Sequence, residues 1–203
     1  MTSASDTRWK VAQNAERAHA SSHSWKLEEP TSHSQFSSQN FLLDSEFFNG
    51  KSILEVGCSP AAAIHSLRQA HLRVGIDPLA SEWGRFYRDS TNHIQGMGEY
   101  LPFKDESFDA VLCINVLDHV QNPFAVLKET QRCLKKGGTL VLWLQTFSTF
   151  RIIRRGLSVI DAPHPHHFSD SDVSFMLQEI GYGIDYHRCR RASFNSAISV
   201  IRG

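Results

Sequence analysis

From Phe41 to the carboxy terminus, short apolar runs alternate with segments of helical character, and this alternation constrains the fold more than any other feature. A strand that is apolar at nearly every position needs cover on both faces. Helices in the crossovers between parallel strands supply that cover. Ser52-Ile53-Leu54-Glu55-Val56 reads as a first strand, followed by a helix over about 60–70. Leu72-Arg73-Val74-Gly75-Ile76 reads as a second strand that ends at Asp77, with a helix over about 82–87, and a short third strand is expected around His93-Ile94. Residues 110–114 form a fourth, almost wholly apolar strand. A helix over 123–134 stops at Lys135-Lys136-Gly137-Gly138, and residues 139–144 make a fifth strand. A helix over 169–180 has Ser169 or Asp170 as its cap and Gly181 as its stop. Strands over about 184–189 and 197–201 complete the count. The expected class is α/β: a seven-stranded, mostly parallel sheet with helices on both faces and the last strand antiparallel.

Ahead of this region the composition changes. Residues 7–20 are rich in helix formers behind Asp6, whereas residues 21–38 carry seven serines, Pro30 and little apolar content beyond Trp25 and Phe36. The chain therefore divides into 1–40, a helix followed by a Ser-rich lid or partly disordered extension, and 41–203, the α/β domain. Lysine plus arginine balance aspartate plus glutamate at 21 each, so the basic surplus that phosphate binding needs is missing. No apolar run is long enough to span a membrane, and the polar start lacks the apolar stretch of a signal peptide. Cys58, Cys113, Cys133 and Cys189 lie far apart without a C-x-x-C pair, as expected of reduced cysteines in a cytoplasmic protein.

The end of the first strand carries the chemistry. Leu54-Glu55-Val56-Gly57-Cys58-Ser59-Pro60-Ala61 passes through small residues into the next helix, and free amides at a helix start bind carboxylates or phosphates. The dinucleotide spacing G-x-G-x-x-G is not met, since Gly57 is the only glycine in the stretch. Twenty residues beyond Gly57, Asp77 offers a carboxylate suited to a ribose diol, or equally a cap for the following helix. Leu101-Pro102-Phe103, a polar stretch, Phe108-Asp109-Ala110-Val111 and Leu117-Asp118-His119-Val120 complete the pattern.

With these residues the chain resembles the class I S-adenosylmethionine-dependent methyltransferases, in the small-molecule branch often labelled type 11, over about residues 50–145. Glu55, Gly57, Ser59 and Ala61 stand against that family's acidic residue followed by G-x-G-x-G. Leu101 through Val120 stands against L-P-F, F-D-x-V and L-(D/E)-H-V, and Lys135 through Leu140 against its turn into the fifth strand. The resemblance implies a Rossmann-like sheet, S-adenosylmethionine as cofactor, and in-line transfer of its methyl group to a small-molecule acceptor through oxygen or nitrogen. It also implies the surroundings of the cofactor. Glu55, Gly57, Cys58 and Ser59 would face its amino-acid end, Asp77 its ribose, Pro78 and Leu79 its adenine, and Asn115 its methionine part. Met97, Gly98 and Glu99 would meet the adenine amino group. Ser59 and Ala61 replace two motif glycines, and Met97 replaces an adenine-reading aspartate.

An oxygen acceptor needs a base with a pKa near neutrality. His119 and the run His164-Pro165-His166-His167 supply imidazoles on the acceptor side, with His119, His164 and His167 as the catalytic candidates. The plainer readings are a structural hydrogen bond for His119 and a surface loop for the run. Asp118 and His119 with one of these histidines could share a divalent ion. Asn115, however, is a poor ligand at the remaining position, and no metal is expected. A competing reading is a catalytically silent cofactor-binding or scaffolding protein, motivated by the eroded glycine motif. An RNA methyltransferase, suggested by Gly57-Cys58-Ser59-Pro60, is disfavoured because Asn115 and Gln145 stand where that chemistry uses an aspartate and a lysine. The expected partners are a small acceptor, no nucleic acid and no membrane, in a monomer or homodimer.

Overall fold

The computed structural model describes residues 4–22, 46–60, 62–87, 90–148, 151–161, 163–184, 186–193 and 196–202. The Ser-rich stretch 21–38 falls outside them from residue 23 onward, as does Ala61. The elements in chain order are α1 (Ala4–Ser22), β1 (Ser52–Val56), β2 (Leu72–Asp77), α2 (Ala80–Trp83), β3 (Asn92–Gln95), β4 (Phe108–Ile114), α3 (Pro123–Cys133), β5 (Leu134–Phe147), α4 (Arg151–Ile160), α5 (Asp170–Ile180), β6 (Tyr186–Ser193) and β7 (Ser196–Arg202).

One sheet holds every strand, in the order β3-β2-β1-β4-β5-β7-β6. The β3-β2-β1-β4-β5 ladder is parallel throughout. It ends at β5, because β7 pairs antiparallel with both β5 and β6. Because β5 and β6 both run against β7, β6 keeps the direction of the five-stranded parallel ladder, and β7, the last strand, is the reversed one in a mostly parallel sheet, as expected. The physical reason is the length of the connection. Only residues 194 and 195 separate β6 from β7, and a parallel neighbour needs a crossover of about a dozen residues or more.

Strand side chains alternate between two packed faces, as the apolar runs require. Leu54, Val56, Val111, Cys113, Leu140 and Leu142 point to one face, where Val126 and Leu127 of α3 and Val173 and Leu177 of α5 cover them. Ile53, Ala110, Leu112 and Val141 point to the other, against Phe48, Ala63, Ile64 and Leu67. The helix expected over 60–70 is absent on that second face. A single 3-10 turn, Ala63–Ser66, replaces it. The helix expected over 82–87 is likewise shortened to α2 and the 3-10 turn Gly84–Phe86.

Two helix starts follow their sequence signals closely. Asn122 caps α3 by accepting the Ala125 N–H at 3.1 Å, with Pro123 at the first helical position. Ser169 and Asp172 form a reciprocal capping box on α5, and Gly181 ends that helix at φ +98°. The guanidinium of Arg132 on α3 donates to the carbonyls of Leu101 at 3.0 Å and Phe103 at 2.7 Å, while Glu129 accepts the Leu101 N–H at 2.9 Å. The loop between β3 and β4 is thereby fastened against α3.

Candidate cofactor and acceptor site

The parallel strands deliver the motif residues to one edge. Val56 lies beside Ile76 and Cys113, and Asp77 lies beside Gln95, so Gly57, Asp77, Gly96 and Asn115 leave the sheet together at its carboxyl end. From β1 the chain order runs one way to β2 and β3 and the other way to β4 and β5. The crevice at such a reversal is the ligand site of open α/β sheets. Gly57 adopts φ +77°, and a Cβ there would collide with the Val116 side chain across that crevice. Gly98 packs so closely that a Cβ would come 2.8 Å from Val56 Cγ1. Asn115 also takes a left-handed backbone, φ +52°, and donates its N–H to the Trp143 carbonyl at 2.7 Å.

The loop after β1 departs from expectation. Gly57 and Cys58 both donate to the Ile76 carbonyl, at 2.9 and 3.2 Å; the Ser59 N–H goes to Gly57 and the Ala62 N–H to Ser59. Fully buried Glu55 accepts the amides of Ala63 at 3.3 Å and Ile64 at 2.7 Å. These amides are engaged within the protein, which corrects the expectation that they are free for the cofactor's carboxylate. With no helix after β1, the loop closes on itself. The Cys58 side chain is fully buried against Gly75, 3.7 Å from His93 Nδ1, and its carbonyl accepts the Tyr87 hydroxyl at 2.8 Å.

Burial pushes the Glu55 carboxyl up to about 7 against the pull of the two amides. Its folded-state pKa exceeds its ordinary value, so its contribution to stability is complete below about pH 4.5 and is lost as pH rises through about 7. Glu55→Gln is therefore expected to gain about 2 kcal/mol relative to the wild type between pH 5 and pH 8. Thermal melts of both proteins at the two pH values check this; a constant difference in Tm refutes it.

Asp77 is buried at the end of β2, and its Oδ1 accepts the Leu79 N–H at 2.7 Å. It thus carries out the capping role while remaining at the edge. Burial raises its pKa to about 7; the Leu79 amide opposes this, and the nearby Glu16 carboxylate adds to it. Leu79 is buried with Trp83, and the Pro78 carbonyl accepts the Gln95 amide at 3.1 Å. Met97 lies in the half-buried turn ahead of Gly98. The Glu99 carboxylate is turned away to the β4–α3 loop, where it accepts the N–H groups of Gln121 at 2.8 Å and Asn122 at 3.1 Å.

The structure brings the catalytic candidates together. The rings of His119 and His164 stand 4.6 Å apart and those of His164 and His167 6.4 Å apart. Sequence reasoning missed the two carboxylates that organise them. Asp161 accepts from His164 Nδ1 at 3.0 Å through one oxygen and lies 3.1 Å from His167 Nε2 through the other. Glu16, on α1, lies 3.2 Å from His119 Nδ1. The i, i+3 spacing of Asp161 and His164 was a readable signal; nothing in the sequence linked Glu16 to a residue 103 positions away. Burial disfavours a charge on His119, yet Glu16 and Asp118 outweigh it and hold the pKa at about 9. The two carboxylates thus favour the protonated form of His119. His167 is only 2% exposed through its side chain, and that burial lowers its pKa. It positions Asp161, and His164 is the more accessible imidazole of the pair.

Comparison with known proteins places the domain among methyltransferase-like chains. Residues 54–142 match the methyltransferase-domain family model. Over 130 residues the chain is 42% identical to an uncharacterized protein of Methanocaldococcus jannaschii, covering 59% of this chain and 57% of that protein. It is 28% identical to a ubiquinone biosynthesis O-methyltransferase of Xanthomonas oryzae (60% and 56% covered) and 30% identical to a tRNA U34 carboxymethyltransferase of Nautilia profundicola (45% and 33% covered). A solved S-adenosylmethionine-dependent methyltransferase of Thermotoga maritima superposes with a TM-score of 0.66 at 20% identity, over 97% of this chain and 98% of that one. Residues 54–142 thus match a methyltransferase domain, and the chain shares the α/β fold of a solved methyltransferase. S-adenosylmethionine is the methyl donor that a domain of this kind carries. The chain spans between about a third and somewhat over half the length of these curated relatives.

Proposed function

We propose that the protein transfers the methyl group of S-adenosylmethionine to a small molecule through oxygen or nitrogen. The observation that carries this reading is the meeting of two half-sites at one sheet edge. Gly57, Asp77, Gly98 and Asn115 stand at the ends of β1 to β4, and beside them lies the His119–His164–Asp161 group. In-line displacement from a sulfonium asks mainly for alignment and exclusion of water. Helix α1 serves the second need as a lid. Its Arg17 bridges to Glu82 at 2.8 Å, its Glu16 to His119, and its Arg8 donates to the Asp161 carbonyl.

Residues 54–79 and 97–115 would hold the cofactor, with Asp77 on the ribose hydroxyls. S-adenosylmethionine, once bound, supplies an electrophilic methyl on a positively charged sulfur. His164, oriented by Asp161, takes the acceptor's proton, and the His119 imidazolium steadies the anion that forms. The chain has no basic surplus, which favours a small acceptor over RNA. A second reading, a silent cofactor binder, has a specific observation behind it: the amides after β1 are already engaged.

The test is transfer of labelled methyl to separate pools of phenols, amines and total tRNA, alongside calorimetry with S-adenosylhomocysteine. Micromolar binding and label in a phenol or amine are the expected result. Label in tRNA alone would overturn the acceptor class. Binding without label in any pool would favour the silent reading.

A further inference from the structure

We propose that Asp118, His119 and His164 form a divalent transition-metal site on the acceptor side, deepening the methyl-transfer reading on which its role rests. One donor atom from each of the three lies within 4.8 Å of the others. Donors sharing one ion at bond lengths of about 2.1 Å stand roughly 3–4 Å apart, so a contraction of about 1–2 Å at most completes the set.

Three independent features point to an ion. Asp118 has a side chain only 8% exposed, and its Oδ1 is fully shielded from solvent without a hydrogen-bond partner. That oxygen stands 3.8 Å from His119 Nε2, too far for a hydrogen bond and suited to two ligands of a common cation. Asp161 accepts from His164 Nδ1 at 3.0 Å, backing that imidazole on its other nitrogen, and the Glu16 carboxylate lies 3.2 Å from His119 Nδ1 as an ion-pair neighbour without hydrogen-bond geometry. The Asp161–His164 contact is the arrangement that fixes the tautomer of metal-binding histidines and directs Nε2 to the ion.

Two imidazoles and one carboxylate suit Zn2+, Mn2+, Fe2+ or Co2+ better than Ca2+ or Mg2+. Three protein ligands also leave at least one position open, the mark of a catalytic rather than a structural site. The open position takes the acceptor. A hydroxyl bound there releases its proton to solvent more readily, and its oxygen forms the new O–C bond as the S–C bond of the sulfonium breaks, leaving the neutral thioether. His119 and His164 are then ligands, His119 giving up to solvent the proton it carries in the metal-free protein, and the ion replaces both in activating the acceptor and steadying its anion.

The test uses the full chain without a histidine tag, stripped with chelator and titrated with Co2+ under its visible absorption and with Zn2+ by equilibrium dialysis. One equivalent of either metal is expected to bind. Asp118→Asn and His164→Gln should each weaken binding at least tenfold, and Asp161→Asn about tenfold through His164. His71→Gln, at the opposite end of the sheet ahead of β2, should leave it unchanged. S-adenosylhomocysteine calorimetry on the same samples reports whether each variant has kept its fold. No uptake by the wild type, or uptake equal in wild type, Asp118→Asn and His164→Gln, overturns the site whatever the cofactor result. Variant-sensitive uptake without S-adenosylhomocysteine binding in the wild type supports the site and refutes its part in methyl transfer.

Discussion

Asp77→Ala is expected to weaken S-adenosylhomocysteine binding about 30- to 100-fold while leaving the protein folded. The estimate rests on the ribose diol donating to a buried carboxylate, where a charged hydrogen bond is worth about 1.5–3 kcal/mol. Burial holds Asp77 near pKa 7, so in the free protein the carboxylate is protonated for much of the range below neutrality. The diol binds the ionised form. Binding below about pH 7 must therefore expel a proton, and wild-type affinity should rise by about tenfold from pH 6 to pH 8. Asp77→Asn cannot titrate and should show a nearly flat profile at low affinity. Calorimetry at several pH values checks both features. An affinity that ignores the substitution would leave Asp77 as only the cap of the turn at Leu79, the plainer of its two readings.

The parallel core was legible in the sequence because its strands state their burial residue by residue. Leu54 and Val56 against Ile53, and Val111 and Cys113 against Ala110 and Leu112, leave no polar face, and such strands belong in the middle of an α/β sheet. The caps at Asn122 and Ser169 were legible for a similar reason, since one side chain decides each. Three features were not. The segment after β1 contains good helix formers but contracts to one 3-10 turn, whose first amides are accepted by the carboxylate of Glu55, a contact that no local pattern signals. Helix α4 carries Ile152, Ile153 and a central Gly156, a composition of low helix propensity. The Glu16–His119 contact joins the amino-terminal helix to the end of β4, and local pattern carries no information about such a pairing. The positions of Gly57, Asp77 and Asn115 at strand ends were therefore readable, since strand ends are placed by the sheet. The acceptor side depends on long-range pairings.

Gly57 is where the two halves of the sheet part, and Gly57→Ala is expected to destabilise the protein by about 3 kcal/mol, lowering Tm by about 6–12 °C, and to remove cofactor binding. Two costs add. An L residue at φ +77° carries about 1–2 kcal/mol of backbone strain. The new methyl group also runs into the Val116 side chain, which sits two residues before buried Asp118 and next to wholly buried Leu117. Val116 cannot retreat without moving the segment that places Asp118 and His119, so the substitution should disturb the acceptor cluster as well as the cofactor loop. The two costs separate in a double-mutant cycle. Val116→Ala removes the nearest contact, at Cγ2, but leaves Val116 Cβ 2.8 Å from the new methyl and the strain in place, so in the Gly57→Ala background it should recover part of the lost stability, less than half. Additive effects of the two substitutions in urea unfolding would mean that the loop moves independently of β4. In that case the crevice between β1 and β4 would not be the rigid meeting point on which the placement of the cofactor depends.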